Sequence, residues 1–238
     1  MIKMKYLVVI PARGGSKGIP HKNIYPVAGK PLLGYAIESI QGVSFEGDVV
    51  VSTDDDRIAA VAGKYDRVII VKRPAEISND TAKTEAALIH ALNYMKEMYH
   101  KDYDAVVTLQ PTSPLRKSNT IRKFLDEFEK KANIYDALLT LSEDRSDFWM
   151  KKEDGSYGRL FPDAPRRRQE RKPLYVENSA IYVTRKESLL KCNSVLGEKV
   201  NGFVIDAEEG VDINEFGDIA LAESLLNKQE EKNEKDDD

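Results

Sequence analysis

Val9-Ile10-Pro11-Ala12-Arg13-Gly14-Gly15-Ser16-Lys17-Gly18-Ile19-Pro20-His21-Lys22-Asn23 decides how this chain is read. An apolar run, Tyr6–Ile10, passes directly into a loop with three glycines and four basic side chains, Arg13, Lys17, His21 and Lys22. Gly14, Gly15 and Gly18 allow the backbone to turn tightly and to approach a ligand closely. A glycine-rich turn that leaves a strand and carries fixed cations suits a polyphosphate, whose oxygens need backbone N–H groups and positive charge. The spacing is neither GxxxxGK[ST] nor GxGxxG, so neither of those phosphate-binding fingerprints accounts for it.

Outward from the loop, apolar runs alternate with amphipathic ones, the βαβ rhythm of a parallel sheet covered by helices. Strands are predicted at 6–10, 48–52, 67–71, 104–110, 135–141, 180–184 and 202–205. Helices are predicted at 32–40, 54–63, 81–100, 119–132, 186–191 and 215–226. Pro31 stands where a first helical turn favours it, and Asp54 or Asp55 is a cap for the second helix. The expected class is α/β, a doubly wound, mostly parallel sheet. Its rhythm breaks over residues 142–173, which are polar, Arg-rich and turn-rich, with Asp154-Gly155 marking a hairpin. That segment reads as a small lobe inserted into one domain spanning 1–227. The acidic tail 228–238 is expected to be disordered.

Parallel strands place their ligand loops at their C-terminal ends. Residues 12–23, 72–80 and 111–118 are therefore expected on one edge, which collects Arg13, Lys17, Lys22, Arg73, Gln110 and Arg116.

Composition narrows the classes. The 238 residues are 41% hydrophobic, enough for a sizeable core, and the net charge is −4. The tail from Lys228 to Asp238 holds three lysines and six acids, so the body is near neutral, which argues against a general nucleic-acid binder. The one cysteine, Cys192, excludes an intrachain disulfide and a Cys-based metal site. The opening apolar run is too short for a signal peptide or a membrane span, so a cytoplasmic protein is expected.

The loop resembles the first motif of the acylneuraminate cytidylyltransferases, the CMP-sialic acid synthetases. Further matches follow in order: Arg73-Pro74-Ala75-Glu76 with Asp80-Thr81, then Leu109–Arg116 (LQPTSPLR), Arg168-Gln169, Asn178 with Ala180-Ile181-Tyr182, and Val211-Asp212-Ile213-Asn214. The resemblance covers residues 5 to 227 and implies a nucleotide-diphospho-sugar transferase type of sheet. It implies that Arg13, Gly14, Ser16, Lys17 and Lys22 contact the triphosphate of CTP, with Lys22, Arg13 and Asp212 in the catalytic roles. Asn23, Arg73, Ala82 and Thr84 hold the nucleotide on the same reading. Gln110, Arg168, Gln169, Asn178 and Tyr182 hold a sugar acid, and Asp212 and Asn214 hold Mg²⁺ or Mn²⁺. It also implies a homodimer in which the inserted lobe reaches the neighbouring site, so that Arg168 acts in trans.

The chain departs from the family pattern in three places. Asn214 replaces a second aspartate, and an amide can bind a metal but cannot accept a proton. Ser179 stands where glycine is usual. Glu143-Asp144-Arg145-Ser146-Asp147 stands where a basic residue for the sugar carboxylate is expected. The reaction implied is transfer of CMP from CTP to the anomeric hydroxyl of a nonulosonic acid, with release of pyrophosphate. The alternatives are a cytidylyltransferase for legionaminic, pseudaminic or an eight-carbon keto acid, a sugar-1-phosphate nucleotidyltransferase, and a non-catalytic nucleotide-binding homologue. For Arg116 the bland reading, a brace for the PTSPL turn, is preferred.

Overall fold

In the computed structural model, which describes residues 3–16 and 18–236 with side chains as far as 229, the first strand β1 (Lys5–Pro11) is an interior strand of the main sheet, paired on both sides. Tyr6, Val8 and Ile10 join one core, whereas Leu7 and Val9 join the other. A strand buried on both faces reads as a continuous apolar run, which is why the sequence shows no alternation there.

The remaining elements follow in chain order. A small hairpin, β2 (Pro26–Val27) and β3 (Lys30–Pro31), leads into α1 (Leu32–Gln41). Then come β4 (Glu46–Thr53), α2 (Asp56–Ala62), β5 (Val68–Lys72), α3 (Thr84–Tyr99), β6 (Ala105–Leu109), α4 (Ser118–Lys131) and β7 (Ala137–Asp144). The lobe contributes β8 (Trp149–Lys151) and β9 (Tyr157–Arg159). The chain returns through β10 (Leu174–Arg185), α5 (Lys186–Cys192), β11 (Val200–Val204) and α6 (Phe216–Asp236).

The main sheet has seven strands in the order β11-β7-β10-β6-β1-β4-β5. All its pairings are parallel except those of β10, which runs antiparallel to both neighbours. Helices cover both faces. Residues of α1, α2 and α4 pack on one, with Phe124 and Phe128 fully buried, and those of α3 and α5 pack on the other. Each such buried aromatic or aliphatic side chain contributes about 1.5–3 kcal/mol. The expected doubly wound, mostly parallel class is what forms.

Three differences from the sequence reading have physical reasons. The predicted strand at 180–184 is the second half of a longer one, because Leu174–Glu177 pairs with Leu141–Asp144 before a bulge shifts the register. The polar side chains of that first half hide it from a hydrophobic pattern. The third helix starts at Thr84 rather than Thr81, because Asn79 folds residues 79–82 into a turn, its Oδ1 accepting from the Thr81 N–H at 3.0 Å. The last helix continues to Asp236, where a disordered tail was expected. The Glu, Lys and Gln residues beyond Leu226 are good helix formers, and no glycine or proline follows Gly217 in the helix.

Within 142–173, the segment expected to form a lobe, β8 and β9 pair as an antiparallel hairpin that turns at Gly155 with φ +81°. Asp55 is the cap of α2, its carboxylate accepting the Arg57 N–H at 2.7 Å. Among the described residues, no helix is long and apolar enough to cross a membrane.

Candidate active site

The C-terminal ends of the parallel strands β1, β5 and β6 open on one edge, and the loops that leave them line a cleft of about 420 Å³. Arg13, Gly15, Ser16, Gly18, Lys22 and Asn23 form one wall, and Arg73, Asp80, Ala82, Lys83 and Thr84 form the facing one. Gln110, Pro111, Thr112 and Asn214 complete it.

A third apolar cluster fixes the loop that follows β1. Ile19 is fully buried against Val27, Leu32, Leu115, Ile213, Ile219 and Ala222. Isoleucine 19 thus anchors a loop whose polar residues stay open to ligand. Gly18 is required by close approach, since a Cβ there would lie 2.4 Å from the Asn214 backbone oxygen. Asn23, buried, donates from Nδ2 to the Arg13 carbonyl at 2.8 Å and so braces the loop from beneath.

The cations differ in how they are held. Lys22 Nζ donates to the Ile213 carbonyl at 2.8 Å and to Asn214 Oδ1 at 3.3 Å, tying the first loop to the late motif. Burial pulls the Lys22 ammonium below its ordinary range, while Asp212 and Asp218 pull it back. Arg73 is buried, with Nη2 on the Ser52 carbonyl at 2.7 Å and Nε on Ser52 Oγ at 3.2 Å, and burial lowers it too. Arg13 spans the cleft mouth, donating to the Asn79 carbonyl at 3.0 Å and to Asp80 Oδ1 at 2.8 Å.

A second cavity of about 520 Å³ adjoins the first. Ser142, Glu143, Asp144 and Ser146 of the β7 side face Val176–Ser179 of β10, and Arg168, Gly210 and Asp212 close it. The two cavities meet at the late motif: Asn214 lines the first, Asp212 lines the second, and Asn214 Nδ2 donates to Asp212 Oδ2 at 2.7 Å. Asp212 Oδ1 is buried and has no hydrogen-bond partner among the described residues.

Most residues singled out in the sequence converge on these two cavities, with instructive exceptions. Lys17 lies outside the described residues. Gly14 does not line the cleft, because its N–H donates to Asp54 Oδ1 at 2.9 Å. Gln169 is exposed and lines neither cavity. Arg168 lines the second cavity of its own chain. Asn178 lines the second cavity, but its amide is committed. Oδ1 accepts from Thr140 Oγ1 at 2.7 Å and from the Ala180 N–H, and Nδ2 donates to Ser142 Oγ at 2.9 Å, holding the β10 bulge. Tyr182 is buried and lines neither cavity, its hydroxyl taken by Glu177 and Ser179. Arg116 is buried and braces two loops from within, donating to the Gln110 carbonyl at 3.1 Å and the Ala180 carbonyl at 2.7 Å.

Sequence reasoning did not single out Lys83 or Thr112 in the first cavity, nor Glu177 and Gly210 in the second. Glu209, also passed over, accepts from the Lys117 N–H at 3.1 Å and Thr120 Oγ1 at 2.9 Å, capping α4 and fixing the approach to Asp212. A short polar segment before an aspartate gives no periodic signal from which this is readable.

The chain is similar to known proteins in sequence and in fold. The family described as "Cytidylyltransferase" matches residues 7–200. The chain is 30% identical over 232 residues to the CMP-N,N'-diacetyllegionaminic acid synthase of Legionella pneumophila, covering 96% of this chain and 99% of that one. It is 30% identical over 232 residues to the N-acylneuraminate cytidylyltransferase of Escherichia coli, where it spans 54% of the relative, about half its length. Among solved structures, CMP:2-keto-3-deoxy-manno-octonic acid synthetase complexed with CTP superposes with a TM-score of 0.67 at 18% identity, over 94% of this chain and 99% of that one. That likeness is one of fold. From the glycine-rich loop to the junction of the two cavities, sequence and architecture agree: the chain belongs to the cytidylyltransferase family and is a nucleotidyltransferase.

Proposed function

We propose that the chain transfers CMP from CTP to the anomeric hydroxyl of a nonulosonic, sialic-acid-like sugar acid and releases pyrophosphate. The carrying observation is the pair of cavities that meet at the hydrogen-bonded Asp212 and Asn214, a cationic glycine-loop cleft on one side and a polar pocket on the other. In the step itself the anomeric oxygen bonds to the α-phosphorus of CTP and the bond to the pyrophosphate oxygen breaks. Arg13, Ser16 and Lys22 hold the phosphate oxygens, with Lys22 neutralising the charge that develops there. Thr84 and Ala82 border the space left for the base. Gln110 offers both a donor and an acceptor to the sugar, and Arg168 offers its fork of N–H groups to the sugar carboxylate. The hydroxyl proton passes to water or to the departing pyrophosphate, since the Asn214 amide is not a base.

The orphaned Asp212 Oδ1 fits a divalent cation, Mg²⁺ or Mn²⁺. Among the described residues no group of three His, Cys, Asp or Glu could hold one. A cation there would rest on Asp212 plus phosphate oxygens, the sparse protein ligation that Mg²⁺ commonly accepts. Bound, it would supply further charge neutralisation at the phosphates.

Asn214→Asp replaces the amide donor with a second carboxylate beside Asp212, so the two repel unless a cation lies between them. Turnover with Mg²⁺ is expected to be kept or raised, and the Mg²⁺-induced rise in thermal midpoint to exceed that of the unaltered chain. A severe loss of turnover would show that the amide has a role of its own.

The homodimer is part of the same reading. Trp149, Met150, Tyr157 and Phe161 are exposed on the lobe, an apolar surface of the kind that marks protein–protein contacts. Light scattering is expected to give twice 26.8 kDa; a monomer at micromolar concentration would remove this part.

Pyrophosphate release tests the reaction directly, with CTP, Mg²⁺ and a panel of N-acetylneuraminic, N,N'-diacetyllegionaminic, pseudaminic and eight-carbon keto acids. Turnover of at least one is expected. Tight CTP binding with no turnover of any would favour a nucleotide-binding module instead.

A further inference from the structure

Ser179 has φ +59° and lies inside the register shift between Glu177 and Tyr182, where β10 pairs with β7. A residue with a Cβ is sterically disfavoured in that left-handed conformation. Such strain persists where the surroundings impose it, and it gathers at ligand sites. Here the surroundings are the Asn178 amide, which holds Thr140, Ser142 and the Ala180 N–H at once.

The strained turn carries the serine side chain onto the wall of the second cavity. Proton counting fixes what it presents there. Tyr182 has one phenolic hydrogen, and its oxygen contacts both the Glu177 carboxylate and Ser179 Oγ, the latter at 3.0 Å. An ionised carboxylate only accepts, so the phenolic hydrogen goes to Glu177. The Tyr182 oxygen then accepts from the Ser179 hydroxyl. With its hydrogen committed, Ser179 Oγ has lone pairs left for a ligand and no donor. Tyr182, buried and lining neither cavity, orients the relay without touching its contents.

The geometry points to Ser179 as a specificity-determining residue of the acceptor cavity, accepting a hydrogen bond from a donor on the sugar acid, a hydroxyl or an amide N–H. The inference rests on the reading of the two cavities given above.

Two variants of the full chain separate this role from a structural one. Ser179→Gly removes both the hydroxyl and the strain, whereas Ser179→Ala removes only the hydroxyl. Each is assayed with CTP, Mg²⁺ and the free sugar acid of the panel that the unaltered chain turns over fastest. Both are expected to raise the acceptor KM about tenfold, the worth of one hydrogen bond, while the Kd for CTP stays within twofold. The thermal midpoint should be equal or higher for Ser179→Gly and lower for Ser179→Ala. Should Ser179→Ala fail to fold, Ser179→Gly decides alone. An acceptor KM within twofold of the unaltered value in Ser179→Gly would overturn the inference, as would a loss of CTP affinity equal to the loss for the acceptor. Absence of turnover by the unaltered chain with every free sugar acid would instead overturn the reading of the site, and this inference with it.

Discussion

Lys22→Ala is expected to lower kcat by about 10²–10³, the usual cost of removing one group that stabilises transition-state charge. The thermal midpoint should change little. Lys22 donates to one backbone carbonyl and one amide oxygen at the cleft edge, and the loop itself is anchored elsewhere, by buried Ile19. The pH profile adds a second signature. Burial lowers the Lys22 ammonium, and the neutral amine cannot neutralise phosphate. Activity should therefore fall as pH rises through a value below the ordinary lysine range. Lys22→Arg should move that limb upward, because a guanidinium keeps its charge, although its planar fork will not reproduce the lysine's point contact. Unchanged kcat in Lys22→Ala would remove the phosphate role.

Asp212→Ala is expected to reduce turnover at least as far, by about 10²-fold or more. Asp212 lines the second cavity and accepts the amide of Asn214, which lines the first, and its Oδ1 has no partner among the described residues to lose. Among the described residues its side chain accepts one hydrogen bond, from the Asn214 amide to Oδ2. The fold should thus tolerate the change. The clearest accompanying sign is loss of the Mg²⁺-induced rise in thermal midpoint, while CTP binding measured without metal stays close to that of the unaltered chain. Turnover within threefold of the unaltered chain would show that the late motif does not carry the reaction.

The fold was legible because its signal is repeated. Seven apolar runs and the helices between them announce the main sheet, and parallel strands then force their loops onto one edge. The nucleotide half was legible for the same reason, since Arg13, Lys22, Arg73 and Gln110 each end or follow a strand. The second cavity was harder. The first half of β10 is polar and its bulge has no periodic signature, so Tyr182, expected to contact the sugar, turned out to be a buried support for Glu177 and Ser179. Asn178 is likewise more occupied with the bulge than a sequence motif can say. The presence of serine where glycine is usual was visible, whereas its left-handed backbone required coordinates. Arg116 is the converse case: a brace read from the turn it follows, and found buried on the Gln110 and Ala180 carbonyls.

The central claim is that the chain joins CMP directly to a free sugar acid. Phosphorus NMR of a reaction containing CTP, Mg²⁺ and either the free sugar-acid panel or a sugar 1-phosphate tests it most directly. The expected product is a CMP-sugar with a single phosphorus, formed in step with pyrophosphate, from the free acid alone. A two-phosphorus CDP-sugar from the sugar phosphate, with no product from any free acid, would contradict it.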